Sequence, residues 1–156
     1  MPSTDTADEP EALVHRWFED LFNRGELSVA DEILSEHVEY HGPPSLSPQD
    51  VTGPADIKEY VDVYKTAFPD MVYSVEEVHT TEGETRVRWT ATGTHESDLF
   101  GMDPTGEMMT VEGISVFRTD EDGIRDIRAQ WDTLKMVQEL GVVPSVGLAA
   151  ETPTTD

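Results

Sequence analysis

Asp132 stands where an alternating apolar run ending at Trp131 gives way to a helical pattern. A carboxylate at such a corner has two uses. Desolvated against a cavity, it can exchange a proton with carbon next to a carbonyl. At a helix start it accepts from backbone N–H groups as an N-cap. The two roles are compatible. His95 shares strand parity with Val87 and Trp89, so it is a candidate donor to a substrate carbonyl, with Trp89 as a wall. It reads equally as a strand-end histidine bonded to backbone. His41 ends a short strand before a proline-rich loop. Arg128 and Gln130 share the parity of Asp132, whereas Ile127, Ala129 and Trp131 take the other. If the polar face lines a cavity, Arg128 and Gln130 are substrate contacts; otherwise they are solvated or meet another subunit.

Other chemistries find less support. His41, His95 and Asp132 could converge on a metal, but no pair has the ligand spacing of a helical His-Glu-x-x-His site, so no metal is expected. No serine sits in a Gly-x-Ser-x-Gly turn between strand and helix. The chain has no cysteine, which excludes a thiolate nucleophile and a disulfide framework. His15, His37 and His79 lie at polar or mixed positions and need no role.

The elements that position these residues follow from periodicity. Asp8 with Glu11 resembles a capping box. Leu13, Trp17 and Leu21 form one helical stripe and Val14, Phe18 and Phe22 the adjoining one, with Gly25 as the stop. Ser28 is placed to cap a second helix over residues 29–36, with Ile33 and Leu34 inward. Residues 37–41 read as a strand, and 42–48, with Pro43, Pro44 and Pro48, as a loop. Thr52-Gly53-Pro54 opens a third helix carrying Ile57, Tyr60, Val61, Tyr64, Ala67 and Phe68, which Pro69 ends. Tyr60, Tyr64 and Phe68 read as helix core before ligand stack.

From Met71 the period is two. Met71, Tyr73 and Val75 alternate with polar residues, and 81–84 is a turn. Val87, Trp89, Ala91, Gly93 and His95 then share one face. Residues 97–106 form a loop in which Phe100 and Met102 could lid a pocket. Strands follow over 108–118 and 124–131, joined by a turn at 120–123, and then a helix over 132–140. Helices first and strands after argue α+β. The expected architecture is a cone-shaped domain, with three N-terminal helices covering a curved antiparallel sheet that can hold a cavity. Residues 1–9 are expected to be a disordered N-terminal segment, 10–141 the domain and 142–156 a flexible tail.

The 156-residue chain carries a formal net charge of −23 and its acids recur along its length. Nucleic acid and anionic membranes are therefore unsuitable partners. Spread acid with only three lysines favours a surface adapted to concentrated salt over an acidic partner-binding tail. No apolar run approaches the ~18 residues of a membrane span. The polar, acidic N-terminus lacks a signal pattern, so a cytoplasmic location is expected.

Several short pieces resemble one family in order. They are Phe22-Asn23-Arg24-Gly25, Gly53, Phe68-Pro69-Asp70, Thr92-Gly93-Thr94-His95, Asp122-Gly123-Ile124, and Trp131-Asp132 followed by Glu139-Leu140-Gly141. Over roughly residues 12–141 the chain resembles the SnoaL-like polyketide cyclases of the nuclear-transport-factor-2-like superfamily. The resemblance implies cofactor-free ring closure by intramolecular aldol condensation of a small carbonyl compound, with Asp132 matching the acid/base. It also implies a pocket-facing histidine near His41 and a homodimer through the open sheet face. Where the family often carries an aromatic residue four positions before that aspartate, this chain has Arg128. That departure weighs against a bulky polyaromatic substrate and admits a more polar or anionic one. Two other readings of the same fold stand beside the enzyme: a non-catalytic small-ligand-binding domain and a dimerisation module.

Overall fold

A computed structural model describes residues 8–43 and 50–141. Most of the proline-rich loop and nearly all of both terminal segments expected to be disordered lie outside the described residues. Asp8 and Glu9 already belong to the first helix.

Helix α1 spans Asp8–Arg16 and runs directly into a π-helical stretch, Trp17–Asn23. The sequence pattern predicted one regular amphipathic helix. The wider turn instead turns Trp17, Phe18, Leu21 and Phe22 together into the core, where all four are buried. The Glu11 carboxylate accepts from the Thr80 hydroxyl at 2.8 Å. Helix α2 covers only Val29–Ile33, and Ser28 makes no side-chain cap bond. The predicted continuation to Glu36 is replaced by strand β1, Leu34–His41. Leu34 pairs with Ile124 at the far end of the chain. A five-residue helix has little cooperativity with which to resist such pairing.

Strand β2, Val51–Thr52, leads into helix α3, Gly53–Ala67, with Pro54 in its first turn. Strands β3 (Val72–Thr81), β4 (Glu84–Thr94), β5 (Met108–Asp120) and β6 (Gly123–Trp131) follow, and helix α4 (Thr133–Glu139) closes the described chain. The six strands form one open sheet in the order β2-β1-β6-β5-β4-β3. Its neighbours are antiparallel except β1 and β6, which run parallel, so the sheet is mixed where a wholly antiparallel one was expected. Register shifts in the β1–β6, β3–β4 and β5–β6 pairs bend the strands.

The apolar face of the sheet packs under the helices. Val87, Trp89, Ala91, Val111, Phe117, Ile127 and Ala129 are buried there with Trp17, Phe18, Phe22, Tyr64 and Phe68. The opposite, outer face carries Arg86, Arg88, Glu112, Arg118, Arg128 and Gln130, all exposed. The fold is thus the expected α+β arrangement of helices on one face of a bent sheet.

The short pieces singled out in the sequence act as clasps. Asn23 accepts from the Tyr73 backbone N–H at 2.8 Å and donates to its carbonyl at 3.0 Å, fixing the π-helical end on β3. Asp70 accepts from both the backbone N–H and the hydroxyl of Thr94, each at 2.8 Å. Those bonds hold its carboxyl below the usual range. Gly93 lets Phe68 lie against β4: a Cβ there would stand 3.0 Å from the Phe68 Cβ.

Candidate functional site

Among the described residues, a small void of about 10 Å³ lies between sheet and helices. It is lined by Tyr64, Met71, Tyr73, Trp89, Ala91, Met109, Val111, Trp131 and Met136. That volume is roughly what one water requires. The expected pocket is therefore closed by side chains. Trp131 leans on Trp89 (ring centroids 6.1 Å apart) and on Tyr64 (6.4 Å), and its indole N–H donates to the Met136 sulfur at 3.3 Å. Met136, on α4, is the plug.

α4 is itself fastened to β5. Glu139 accepts from the Thr110 backbone N–H at 2.7 Å, and Lys135 donates to the Thr110 carbonyl at 2.7 Å while pairing with Glu139 at 3.0 Å. The Thr110 bond first, and Lys135 second, hold the Glu139 carboxyl below its ordinary range.

Asp132 begins α4. Its Oδ1 accepts from the Lys135 backbone N–H at 2.9 Å, and the residue is exposed. The capping role is therefore realised, and the carboxylate does not line the void. His95 is fully buried on the inner face, with its ring stacked on Phe68 at 5.3 Å. Its Nδ1 lies 3.4 Å from the Thr105 hydroxyl, and its Nε2 is buried without a hydrogen-bond partner among the described residues. Few buried polar atoms are left so, because each costs roughly 1–3 kcal/mol. Trp89 lies in the void wall, with its indole N–H donated to the buried Ser115 hydroxyl at 2.9 Å.

The remaining predicted residues do not join them. His41, Arg128 and Gln130 are exposed on the outer face, because Tyr40, Ile127 and Ala129 take the inner positions of the same strands. Arg128 pairs with Asp126 at 3.2 Å. Its place in the sequence therefore carries no information about the interior ligand, and the argument for an anionic one loses its basis. His41, His95 and Asp132 do not converge on a metal.

Buried phenols form a further inner group, of which sequence reasoning read Tyr60 and Tyr64 as helix core and did not weigh Tyr40. Tyr40 and Tyr60 share a hydroxyl–hydroxyl bond of 2.8 Å, and Tyr64 lines the void. Burial first, and neighbouring phenols second, push the Tyr40 and Tyr64 hydroxyls well above their ordinary range, so both stay protonated. Their inward helix and strand positions were the available signal. A larger depression of about 450 Å³ lies at the far end of the sheet, between α1 and the turns, among Glu9, Thr80, Glu82, Asp120 and Glu121. It is open to solvent and contains none of the predicted residues.

The family model for SnoaL-like polyketide cyclases matches residues 12–140. The chain belongs to this family. Solved structures agree with the fold of this SnoaL-like chain. A proposed SnoaL-like polyketide cyclase from Jannaschia sp. CCS1 superposes with a TM-score of 0.81 at 19 % identity, covering 92 % of this chain and 99 % of that one. AclR, a proposed hydroxylase from Streptomyces galilaeus, gives 0.75 at 22 % identity, covering 90 % and 86 %. IdmH, a proposed polyketide cyclase from Streptomyces antibioticus, gives 0.72 at 22 % identity, covering 85 % and 99 %. None of the curated proteins matches in sequence. No helix among the described residues of the SnoaL-like chain is long and apolar enough to cross a membrane.

Proposed function

We propose that this SnoaL-like chain is a cofactor-free cyclase of a small carbonyl compound, that its ligand occupies the interior now filled by Met136 and Trp131, and that Asp132 is the acid/base. The observation that carries the reading is the position of α4. Its Met136 and the adjoining Trp131 line the void, and Asp132 stands between them in sequence at the strand–helix corner. Methionine yields its place more readily than a branched side chain. Withdrawal of α4 about that corner opens the interior and brings the carboxylate to its mouth. The aromatic and methionine walls suit a largely apolar ligand with few polar groups.

The chemistry runs through one proton. Asp132 takes it from carbon next to a carbonyl, the resulting carbanion attacks a second carbonyl of the same molecule to form the C–C bond, and the new alkoxide recovers the proton. The growing negative charge on oxygen needs donors. The unpartnered His95 Nε2, in its protonated tautomer, and the neutral tyrosine hydroxyls supply that chemistry.

The test is cyclisation of a short linear poly-β-ketone by wild type and Asp132→Asn. Asparagine caps nearly as well, so the fold should persist while turnover falls about 100-fold or more. A variant that melts early yet turns over normally sinks the mechanism. A non-catalytic ligand-binding role is the second reading, favoured by the exposed, cap-engaged state of the Asp132 carboxylate. In that case both proteins retain the ketone unchanged in native mass spectrometry. The outer face presents exposed Met108 and Ile114 and a depression of about 350 Å³ between Arg88, Glu112 and Gln130. That surface suits a homodimer contact, which light scattering in high salt tests.

A further inference from the structure

On the outer face, remote from the closed interior, the parallel pairing of β1 with β6 sets Glu39 opposite Asp126 and His41 opposite Arg128. Glu39 and His41 are two residues apart and so point the same way. The His41 Nε2 lies 3.4 Å from Glu39 Oε1 and 3.6 Å from Asp126 Oδ2, and the three ligand atoms all fall within 4.8 Å of one another. We propose that Glu39, His41 and Asp126 form a binding site for a borderline divalent transition-metal ion, with Zn²⁺ as the type.

Three features carry this. The first is spacing. Ligands about 2.1 Å from a tetrahedral ion are about 3.4 Å apart, so the two distances at His41 already match a tetrahedral edge. All three ligand atoms already lie within 4.8 Å of one another, and the long, exposed Glu39 side chain can supply what adjustment the ion needs. The second is donor chemistry. One imidazole nitrogen with two carboxylate oxygens suits zinc and its neighbours better than Mg²⁺ or Ca²⁺, which prefer oxygen alone. The fourth position would hold water. The third is support. Both strands are tied into the sheet, and the Asp126 side chain is only 14 % exposed. Arg128 Nε donates to Asp126 Oδ1 at 3.2 Å, which orients the carboxylate and leaves Oδ2 for the ion. The guanidinium opposes a cation, but two carboxylates outweigh it, and the chain's large negative charge raises the local cation concentration.

The competing state is His41 resting between the two carboxylates without metal. Titration of the full chain with Zn²⁺ alone, followed by calorimetry, separates the two. Wild type should bind with micromolar or tighter affinity, and His41→Ala should weaken that step at least tenfold. Glu39→Gln should weaken it too, while circular dichroism stays unchanged because both positions are exposed. Co²⁺ should give visible absorption of four-coordinate intensity that His41→Ala abolishes, and a hundredfold excess of Mg²⁺ should not displace it. The His41 variant keeps every acid of the chain. Equal Zn²⁺ binding by it would therefore assign the ion to diffuse acidic attraction and overturn the site. So would the absence of saturable binding in wild type, or equal competition by Mg²⁺.

Discussion

The indole of Trp89 lies across Gly113, its partner on the neighbouring strand, so closely that a Cβ at Gly113 would stand 2.3 Å from the indole Cζ2 and 2.7 Å from the Gln130 carbonyl oxygen. The missing side chain makes room for the ring that walls the void. It also lets the indole N–H reach Ser115, two residues further along β5.

Gly113→Ala should therefore be among the most disruptive single-methyl additions in the sheet. Neither the ring nor the backbone carbonyl can step aside cheaply, so the loss of stability should lie near the upper end of overpacking, about 3 kcal/mol. Urea unfolding measures it. Adding Trp89→Leu to the alanine variant should restore part of the loss. If Gly113→Ala is neutral, the indole is not locked where it stands.

Met136→Ala removes the plug. Methionine-to-alanine changes in a core cost about 2–5 kcal/mol, and some of that energy should return when an apolar probe fills the space. Stability should fall in that range, and indole or benzene should raise the thermal midpoint of the variant but not of wild type. Equal response by both proteins would show that α4 does not guard the interior.

Acid should loosen α4. The Glu139 carboxyl has a folded pKa held below its ordinary 4.5, chiefly by the Thr110 N–H and then by Lys135. A depressed folded pKa stabilises the docked helix fully above the unfolded value, and that support is lost as pH falls through the folded one. Hydrogen exchange at Thr110 should therefore accelerate as pH is lowered below about 4.5, after correction for intrinsic rates. Glu139→Gln should flatten the response. An unchanged profile in that variant would remove Glu139 as the latch.

Salt should stabilise the chain. With a net charge of −23, repulsion among surface acids opposes compaction at low ionic strength, and screening relieves it. The thermal midpoint should rise substantially between ~0.1 and ~3 M KCl, since the screening length falls from about 10 Å to below 3 Å over that range. A flat midpoint would favour an acidic surface kept for a partner.

Much of this fold is written in local spacing. The β4 alternation of Val87, Trp89, Ala91 and Gly93 needs only a period of two, and the inward face of α3 only a period of 3.6. What escaped the sequence is what distant chain decides. The start of β1 at Leu34 depends on Ile124, and the π-helical turn depends on how four large side chains share one core. The parity of Arg128 and Gln130 was legible, but their direction was set by the burial of Ile127 and Ala129. Asp132 was readable as a cap from its place before a helix. Closure of the interior depends on the meeting of Trp131, Met136 and Trp89, which no short motif records. The family's short pieces proved to be clasps at Asn23, Asp70 and Glu139, which explains why they mark a fold and do not name a substrate.

The parallel pairing of β1 and β6 also has a temporal side. Leu34 waits for Ile124, roughly 90 residues later, before it has a neighbour in the sheet. As the chain leaves a ribosome, β1 and the helices around it emerge early with their apolar faces bare, while β3 to β6 can zip up hairpin by hairpin. The last antiparallel strand is thus the seat onto which the N-terminal half docks, and docking closes a loop almost as long as the domain. Such a closure is slow. Until it happens, the growing chain exposes Trp17, Phe18 and Phe22 together, and repulsion among the acids of a chain with net charge −23 opposes their association between neighbouring chains.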